Sequence, residues 1–248
     1  MAEMLTKTDI VQALKGMGIK QGDELEVHSS LRSFGYVDGG AETVIAALKE
    51  CCGKNGSIFM PALRLSPNLE LTESDRQMGI VTKVKILPED CEKSAMGAIA
   101  DRFRNQSDTK TGSGIFRISG WGRNAGKAVE GGLDYVIHNG GKALLLGVDI
   151  YKLTAMHYVE DALPTEIGAI FAPGEMVNEK YPPSEWLIET GEPPVKAWYT
   201  IQSMAYERNL IQDGYIGTCK AMLFRIWDVV SLYQQELQKN PFKLYGLE

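Results

Sequence analysis

Cysteine is scarce in this 248-residue chain: Cys51, Cys52, Cys91 and Cys219 are the only four, and none forms a C-x-x-C pair. That excludes a disulfide-dense scaffold and a thiolate zinc site, leaving reduced structural thiols as the expectation. Histidine is scarcer still, with only His28, His138 and His157, so no metal centre is expected. No stretch approaches the ~20 apolar residues that cross a bilayer. The opening MAEMLTKTDI also lacks the basic-then-apolar pattern of a secretory leader, which predicts a soluble, cytoplasmic protein without a membrane partner. Basic charge is not in excess either: 26 Lys and Arg stand against 32 Asp and Glu, a net charge of −6. Nucleic-acid binding rewards the opposite sign, so no nucleic-acid partner is expected, while a cationic substrate suits the balance.

What is present is ordinary globular material, 44% hydrophobic and 23% charged, with no internal repeat or low-complexity tract. A chain of this length buries enough surface for one compact domain spanning residues 1–248. Its order is that of an α/β protein. A helix from Thr8, capped by Thr8 or Thr6, ends at Gly16 and Gly18; a strand follows over Glu24 to His28. Gly39-Gly40 open a second helix that stops at Gly53, and Ser57 to Pro61 form the next strand. Strand, helix, strand within about 40 residues is the crossover unit of a parallel sheet.

Residues 64–92 are polar and broken by Pro67 and Pro88, which reads as a long loop or excursion. Ser94 to Phe103 has helical spacing with Ser94 as its cap. Gly112 to Gly122 is a glycine-rich stretch near Lys110, Arg117 and Arg123, open to a phosphate-bearing ligand or simply a solvated loop. A helix-like segment covers Ala125 to Val129. Lys142 to Val148 is the clearest strand, apolar as if buried on both faces. Beyond Thr165 the proline-rich pattern through Pro194 predicts antiparallel strands, and the steps between Met222, Leu223, Ile226, Val229, Val230, Tyr233 and Leu237 predict a C-terminal helix. The expected fold is therefore a single α/β domain: a central mixed, largely parallel sheet, flanking helices and a β-rich C-terminal excursion.

Ligand and catalytic groups in open α/β sheets gather beyond the carboxyl ends of the strands. After the Lys142 strand comes Asp149-Ile150-Tyr151-Lys152-Leu153-Thr154-Ala155-Met156-His157-Tyr158-Val159-Glu160-Asp161. If Thr154 caps a helix, His157 falls in its first turn with Glu160 on the same face. A carboxylate there fixes the imidazole tautomer and stabilises the imidazolium, so the pair suits a general base. An ordinary helical pair and, more weakly, a pair of metal ligands remain alternatives. His28-Ser29-Ser30-Leu31, at the end of the first strand, is the second candidate, a place for amides and hydroxyls to receive a carbonyl or phosphate oxygen. Neither serine lies in a G-x-S-x-G elbow, which disfavours a serine hydrolase.

Several motifs in order resemble one family, the aminoglycoside 3-N-acetyltransferases. They are the run from Val27 to Val44 with Gly56-Ser57-Ile58-Phe59-Met60-Pro61, Ser94-x-Met96-Gly97 with Phe103-Arg104, and Leu144 to Val148 with Thr154-x-x-His157-x-x-Glu160. Gly214-Tyr215-Ile216-Gly217 with the helix after it completes the set. The likeness covers nearly the whole chain. It implies acetyl-CoA as cosubstrate and direct acetyl transfer to a small-molecule amine, an aminoglycoside at its 3-N position, without an acyl-enzyme. His157 would be the base and Glu160 its orienter. His28, Ser29, Ser30 and Leu31 would contact the CoA arm, and Asp149, Tyr151 and Asp161 would receive the cationic substrate. Where the family usually carries R-S-x-H-P, this chain has Lys110-Thr111-Gly112-Ser113-Gly114, which places Lys110, Thr111 and Ser113 as cofactor contacts in an altered loop. Acylation of a different amine, or a silent CoA-binding relative, are the competing readings; oligomeric state is left open.

Overall fold

A computed structural model describes residues 4–248; the first three residues of the opening stretch lie outside the described residues. The elements are α1 (Lys7–Gly16), β1 (Glu24–Ser29), α2 (Gly40–Cys52), β2 (Ser57–Pro61), α3 (Glu73–Gln77), β3 (Ile80–Lys85), α4 (Gly97–Arg104), β4 (Lys110–Thr111), β5 (Ile118–Gly122), α5 (Ala125–His138), β6 (Lys142–Leu146), α6 (His157–Glu160), α7 (Thr165–Phe171), α8 (Glu175–Lys180), β7 (Trp186–Thr190), α9 (Ala197–Glu207), β8 (Gln212–Ile216), β9 (Cys219–Arg225), α10 (Ile226–Lys239) and α11 (Pro241–Leu244). Among the described residues no helix is long and apolar enough to cross a membrane.

Local chemistry sets the early boundaries where the sequence predicts them. Thr6 and Asp9 form a reciprocal capping box on α1, so of the two candidate caps it is Thr6 that acts. The segment after β1 crosses back through α2 and returns as β2, parallel to β1. The apolar run of β6 pairs parallel to β1 on its other side, and Ala143 to Leu146 are fully buried. The seven-stranded sheet has the order β4-β5-β2-β1-β6-β9-β8. Within this sheet, among the described residues, parallel pairing is limited to β2, β1 and β6, and β4, β5, β9 and β8 are all antiparallel to their neighbours. The sheet is mixed as expected but not largely parallel. A parallel neighbour needs a helical crossover, whereas β8 and β9 are joined by Gly217-Thr218 alone and can only form a hairpin.

One apolar cluster lies on each face. Against α1, α2 and α4 pack Leu25, Val27, Ile58, Met60, Leu144 and Leu146. Against α5, α9 and α10 pack Phe59, Ala143, Leu145, Met222 and Phe224. Alternation along β1 therefore sends Glu24, Glu26 and His28 into the second layer, beside Phe59, Ala143 and Leu145.

Four sequence expectations need correction. Residues 64–92 are not loop throughout: α3 and β3 lie there, and β3 pairs antiparallel with β7 in a separate two-stranded sheet over Ile80, Val177 and Ile188. Gly112 to Gly122 is a solvated loop only in its first half, since β5 runs through the second. There Gly122, at φ +94°, lets Gly56 approach so closely that a Cβ would sit 2.2 Å from its carbonyl oxygen. Between Thr165 and Pro194 only β7 is a strand; the prolines bound the short helices α7 and α8 instead of interrupting strands, so the expected β-rich excursion is mostly helical. Met222 and Leu223 belong to β9 and the C-terminal helix begins at Ile226, because a short buried apolar run satisfies both periods.

Candidate active site

Because β1, β2 and β6 are parallel, their carboxyl ends share one edge of the sheet. At that edge β6 gives way to Gly147, at φ +68°, where a Cβ would lie 1.7 Å from Ser33 Oγ. Only glycine lets the Ser30–Ser33 turn close over this strand end. The chain then makes two 3₁₀ turns, Ile150–Lys152 and Thr154–Met156, before the single turn of α6. Thr154 supplies no side-chain cap, and Leu153 precedes the turn with extended backbone. His157 nonetheless opens α6, and its Nδ1 lies 2.5 Å from Glu160 Oε2. Nδ1–H donating to that carboxylate leaves Nε2 with its lone pair outward.

The His157 side chain keeps 57% of its surface accessible, yet protein groups crowd it. Desolvation disfavours its charge, but the hydrogen bond and negative charge of Glu160, with Glu189 and Glu26 farther off, raise its pKa overall. The imidazole and the Trp198 ring meet edge to face, 4.8 Å between centroids. Tyr151 leans on the same indole at 5.4 Å and stacks on Tyr199 at 5.3 Å, with Lys196 Nζ 5.3 Å from its own ring centre. Asp149 caps the first 3₁₀ turn through the Tyr151 amide and accepts from the Tyr199 hydroxyl at 3.0 Å. Burial, and then the charges of Glu189, Glu160 and Glu192, push the Tyr151 hydroxyl up. A wall of aromatic rings with carboxylates around it thus abuts the imidazole, a surface suited to a cation.

The structure brings His157, Glu160, Asp149 and Tyr151 together as predicted. Asp161 is exposed at the end of the turn, and its side chain makes no hydrogen bond or ion pair among the described residues. Ser29 and Ser30 stand at the end of β1 with hydroxyls that donate to nothing among the described residues, and the Ser30 amide donates to Leu146 O. Leu31 starts a 3₁₀ turn beside them. His28 differs from its neighbours: it is only 7% exposed and faces the protein interior. Lys110, Thr111 and Ser113 lie farther away, with β2 and β5 between β4 and β1. The Thr111 hydroxyl is engaged by Ser119 Oγ at 2.8 Å, and Lys110 Nζ reaches toward Gly126 in the first turn of α5, so neither converges on the His157 group. Ser113 is exposed.

Sequence reasoning missed Trp198, Tyr199, Glu189 and Glu26. The first two sit on α9, in a segment that follows the region read as strands; only the pair Trp198-Tyr199 within an apolar helical spacing signalled them. Glu189 comes from β7 and Glu26 from a strand whose alternation resembles that of a solvated edge.

The model of one protein family, "Aminoglycoside 3-N-acetyltransferase", matches residues 27–238. Aminoglycoside N(3)-acetyltransferase III of Salmonella sp is 28% identical over 187 residues, which cover 63% of this chain and 60% of that protein. The chain thus spans about three-fifths of the length of this curated relative. Among solved structures, a histidine-to-alanine mutant of the aminoglycoside acetyltransferase AAC(3)-IVa in complex with apramycin superposes with a TM-score of 0.70 at 19% identity, covering 97% of this chain and 95% of that one. AAC-IIIb in binary complex with CoASH gives 0.69 at 19% identity, with 96% and 97% covered.

Proposed function

The chain belongs to the aminoglycoside 3-N-acetyltransferase family, and from that premise we propose that it transfers acetyl from acetyl-CoA directly to an amine, with the 3-N amine of an aminoglycoside as the first acceptor to test. The observation that carries this reading is the 2.5 Å contact between His157 Nδ1 and Glu160 Oε2, which leaves Nε2 of a half-exposed side chain as the proton acceptor beside an acid-flanked aromatic wall.

When bound, acetyl-CoA supplies a thioester whose carbonyl carbon accepts the new bond and whose sulfur leaves with the bonding pair. The chain's own task is the proton. An ammonium group is not nucleophilic, so it first gives one proton to solvent; the neutral amine then attacks, and His157 Nε2 takes the second proton, which the nitrogen must shed to become an amide. Glu160 holds the ring and offsets the positive charge that then develops. The imidazolium returns the proton to the departing thiolate, which leaves His157 as it began. Ser29 and Ser30 offer hydroxyls, and Leu31 its amide, at the end of β1 for the CoA arm; Asp149, Tyr151 and Asp161 serve the acceptor side.

Replacing His157 by Ala should lower kcat about 10²- to 10⁴-fold with the fold intact by circular dichroism. Wild-type turnover in that variant removes the base assignment. The Lys110–Gly114 departure favours a second reading, another amine as acceptor, and a panel of amines assayed by CoA release separates the two. Binding of acetyl-CoA by calorimetry without turnover on any amine would instead identify a silent relative.

A further inference from the structure

One cation stands within the acidic surround of the acceptor side, and neither the fold nor the scheme above uses it. Lys196 immediately precedes α9 in Lys196-Ala197-Trp198-Tyr199, so one short stretch of chain delivers both this ammonium and two rings of the aromatic wall. A positive charge at a helix N-terminus opposes the helix dipole, and the first turn of α9 carries no acidic residue to offset it. Lys196 is exposed and makes no ion pair among the described residues, although Glu192 lies only four positions earlier in the chain. Its ammonium instead stands over the Tyr151 ring, 5.3 Å from the centre and within cation–π range.

The rest of the wall shows what that ammonium covers. Trp198, the ring beside the imidazole, is 5% exposed, whereas Tyr151 and Tyr199 keep 44% and 38% of their surface. An acceptor whose amine reaches His157 Nε2 thus finds Tyr151 and Tyr199 as the accessible part of the wall. The nearby carboxylates are already engaged: Glu160 by His157, Asp149 by the Tyr151 amide and the Tyr199 hydroxyl, and Glu189 by Thr82 Oγ1 at 2.7 Å. A second ammonium on the acceptor would take the Tyr151 ring as its seat, and Lys196 occupies that seat.

Resting on the reading of His157 as the base, we propose that Lys196 is a specificity-determining residue: its ammonium fills the cation seat on Tyr151 and turns the site toward amines of low charge and away from polycations. An acceptor with a single amine brings no second charge to place. A polycation must displace the lysine or bind beside it, and discrimination then comes from a repulsive element built into the site.

The test compares three variants on two acceptors. Lys196→Met keeps the aliphatic stem and removes the charge, while Lys196→Arg keeps the charge. Lys152→Met removes another exposed lysine, from the turn that carries Tyr151, whose ammonium stands over no ring among the described residues. Apramycin serves as the polycationic acceptor and glucosamine as the monoamine, with CoA release as the assay. We expect Lys196→Met to lower the apramycin KM about three- to tenfold and the glucosamine KM by less than about twofold. Lys196→Arg should keep the wild-type ratio of the two KM values, and Lys152→Met should give less than half of the gain. That gain should shrink as salt rises from about 0.05 to about 0.5 M, because exposed charges are screened.

An apramycin-to-glucosamine KM ratio that Lys196→Met leaves unmoved overturns the proposal. So does an equal gain from Lys152→Met, which would mark an effect of net charge and not of the seat. Calorimetric titration with apramycin separates the proposal from the reading on which it rests. If the wild type acetylates neither amine, the acetyltransferase reading fails, and tighter apramycin binding by Lys196→Met but not by Lys152→Met still supports the seat. Equal binding by wild type and Lys196→Met, or binding by neither, overturns it.

Discussion

At the scale of single residues the site turns on proton affinity. Burial alone would lower the His157 pKa, but Glu160 and the more distant carboxylates raise it above the ordinary value of 6.5. A base works only when deprotonated, so kcat/KM should climb with pH along a limb whose midpoint lies above 6.5 and fall away below it. Linkage has the opposite direction: the raised folded-state pKa adds stability that is complete below the unfolded-state value and fades as pH rises through the folded one. Glu160→Gln removes the carboxylate, so the limb should move to lower pH while kcat drops by at least about tenfold. An unmoved midpoint in that variant would mean that Glu160 is not the group that sets it. The proximity of His157 and Glu160 was legible from their spacing, because three residues apart on one helical turn is a local relation, whereas their roles were implied only by the family resemblance. His28 was misjudged for the converse reason: its neighbours Ser29 and Ser30 do face the strand end, and nothing local says that alternation turns the histidine inward.

Elements show where local patterns stop being informative. The β3–β7 excursion is polar enough to read as loop, and beside its small apolar cluster one buried carboxylate helps to order it. Asp75 is fully buried and accepts from Lys83 Nζ at 2.6 Å and Tyr181 OH at 2.6 Å, with the Thr72 amide closing the cap of α3. Burial opposes its ionisation, yet Lys83, Tyr181 and Thr72 hold it well below the usual carboxylate range. A depressed carboxylate stabilises above its unfolded-state pKa, and the benefit is lost as pH falls through the folded one. Asp75→Asn should therefore speed hydrogen exchange of the β3 and β7 amides by about tenfold or more while amides of β1 and β6 keep their protection. Equal loss across both sheets would show that the excursion does not open as a separate unit. Because β7 also carries Glu189, which adds to the potential at His157, loosening this unit should lower the His157 midpoint slightly as well.

For the whole molecule, stability resides in two layers on either side of β1 and β6. Leu145 is completely buried in the layer beneath the site, and Leu145→Ala should cost about 2–5 kcal/mol, a fall in Tm of roughly 5–15 °C by thermal denaturation. A loss under about 1 kcal/mol would imply that the layer collapses to fill the space. Acetyl-CoA, if it binds the folded state alone, should stabilise it by about 2.7 kcal/mol at a hundredfold excess over Kd and so raise Tm with concentration. No shift with acetyl-CoA at any concentration would count against the acyl-donor assignment.

Reading the chain in order was enough for α1, α2, β1, β2 and β6, since caps, glycine stops and apolar runs are written within a few residues of where they act. It was also enough for the His157–Glu160 pair and for the family likeness, which the match over residues 27–238 bears out. Folding in three dimensions decided the rest. Whether Met222 is strand or helix, whether 165–180 is strand or helix, and how much of the sheet is parallel depend on what packs above and beside each segment. The polar face of β1 is the clearest instance: Glu24, Glu26 and His28 alternate as a solvated edge strand does, and only the addition of β2, β6 and the helices above them turns that face inward, where His28 pairs with Glu26.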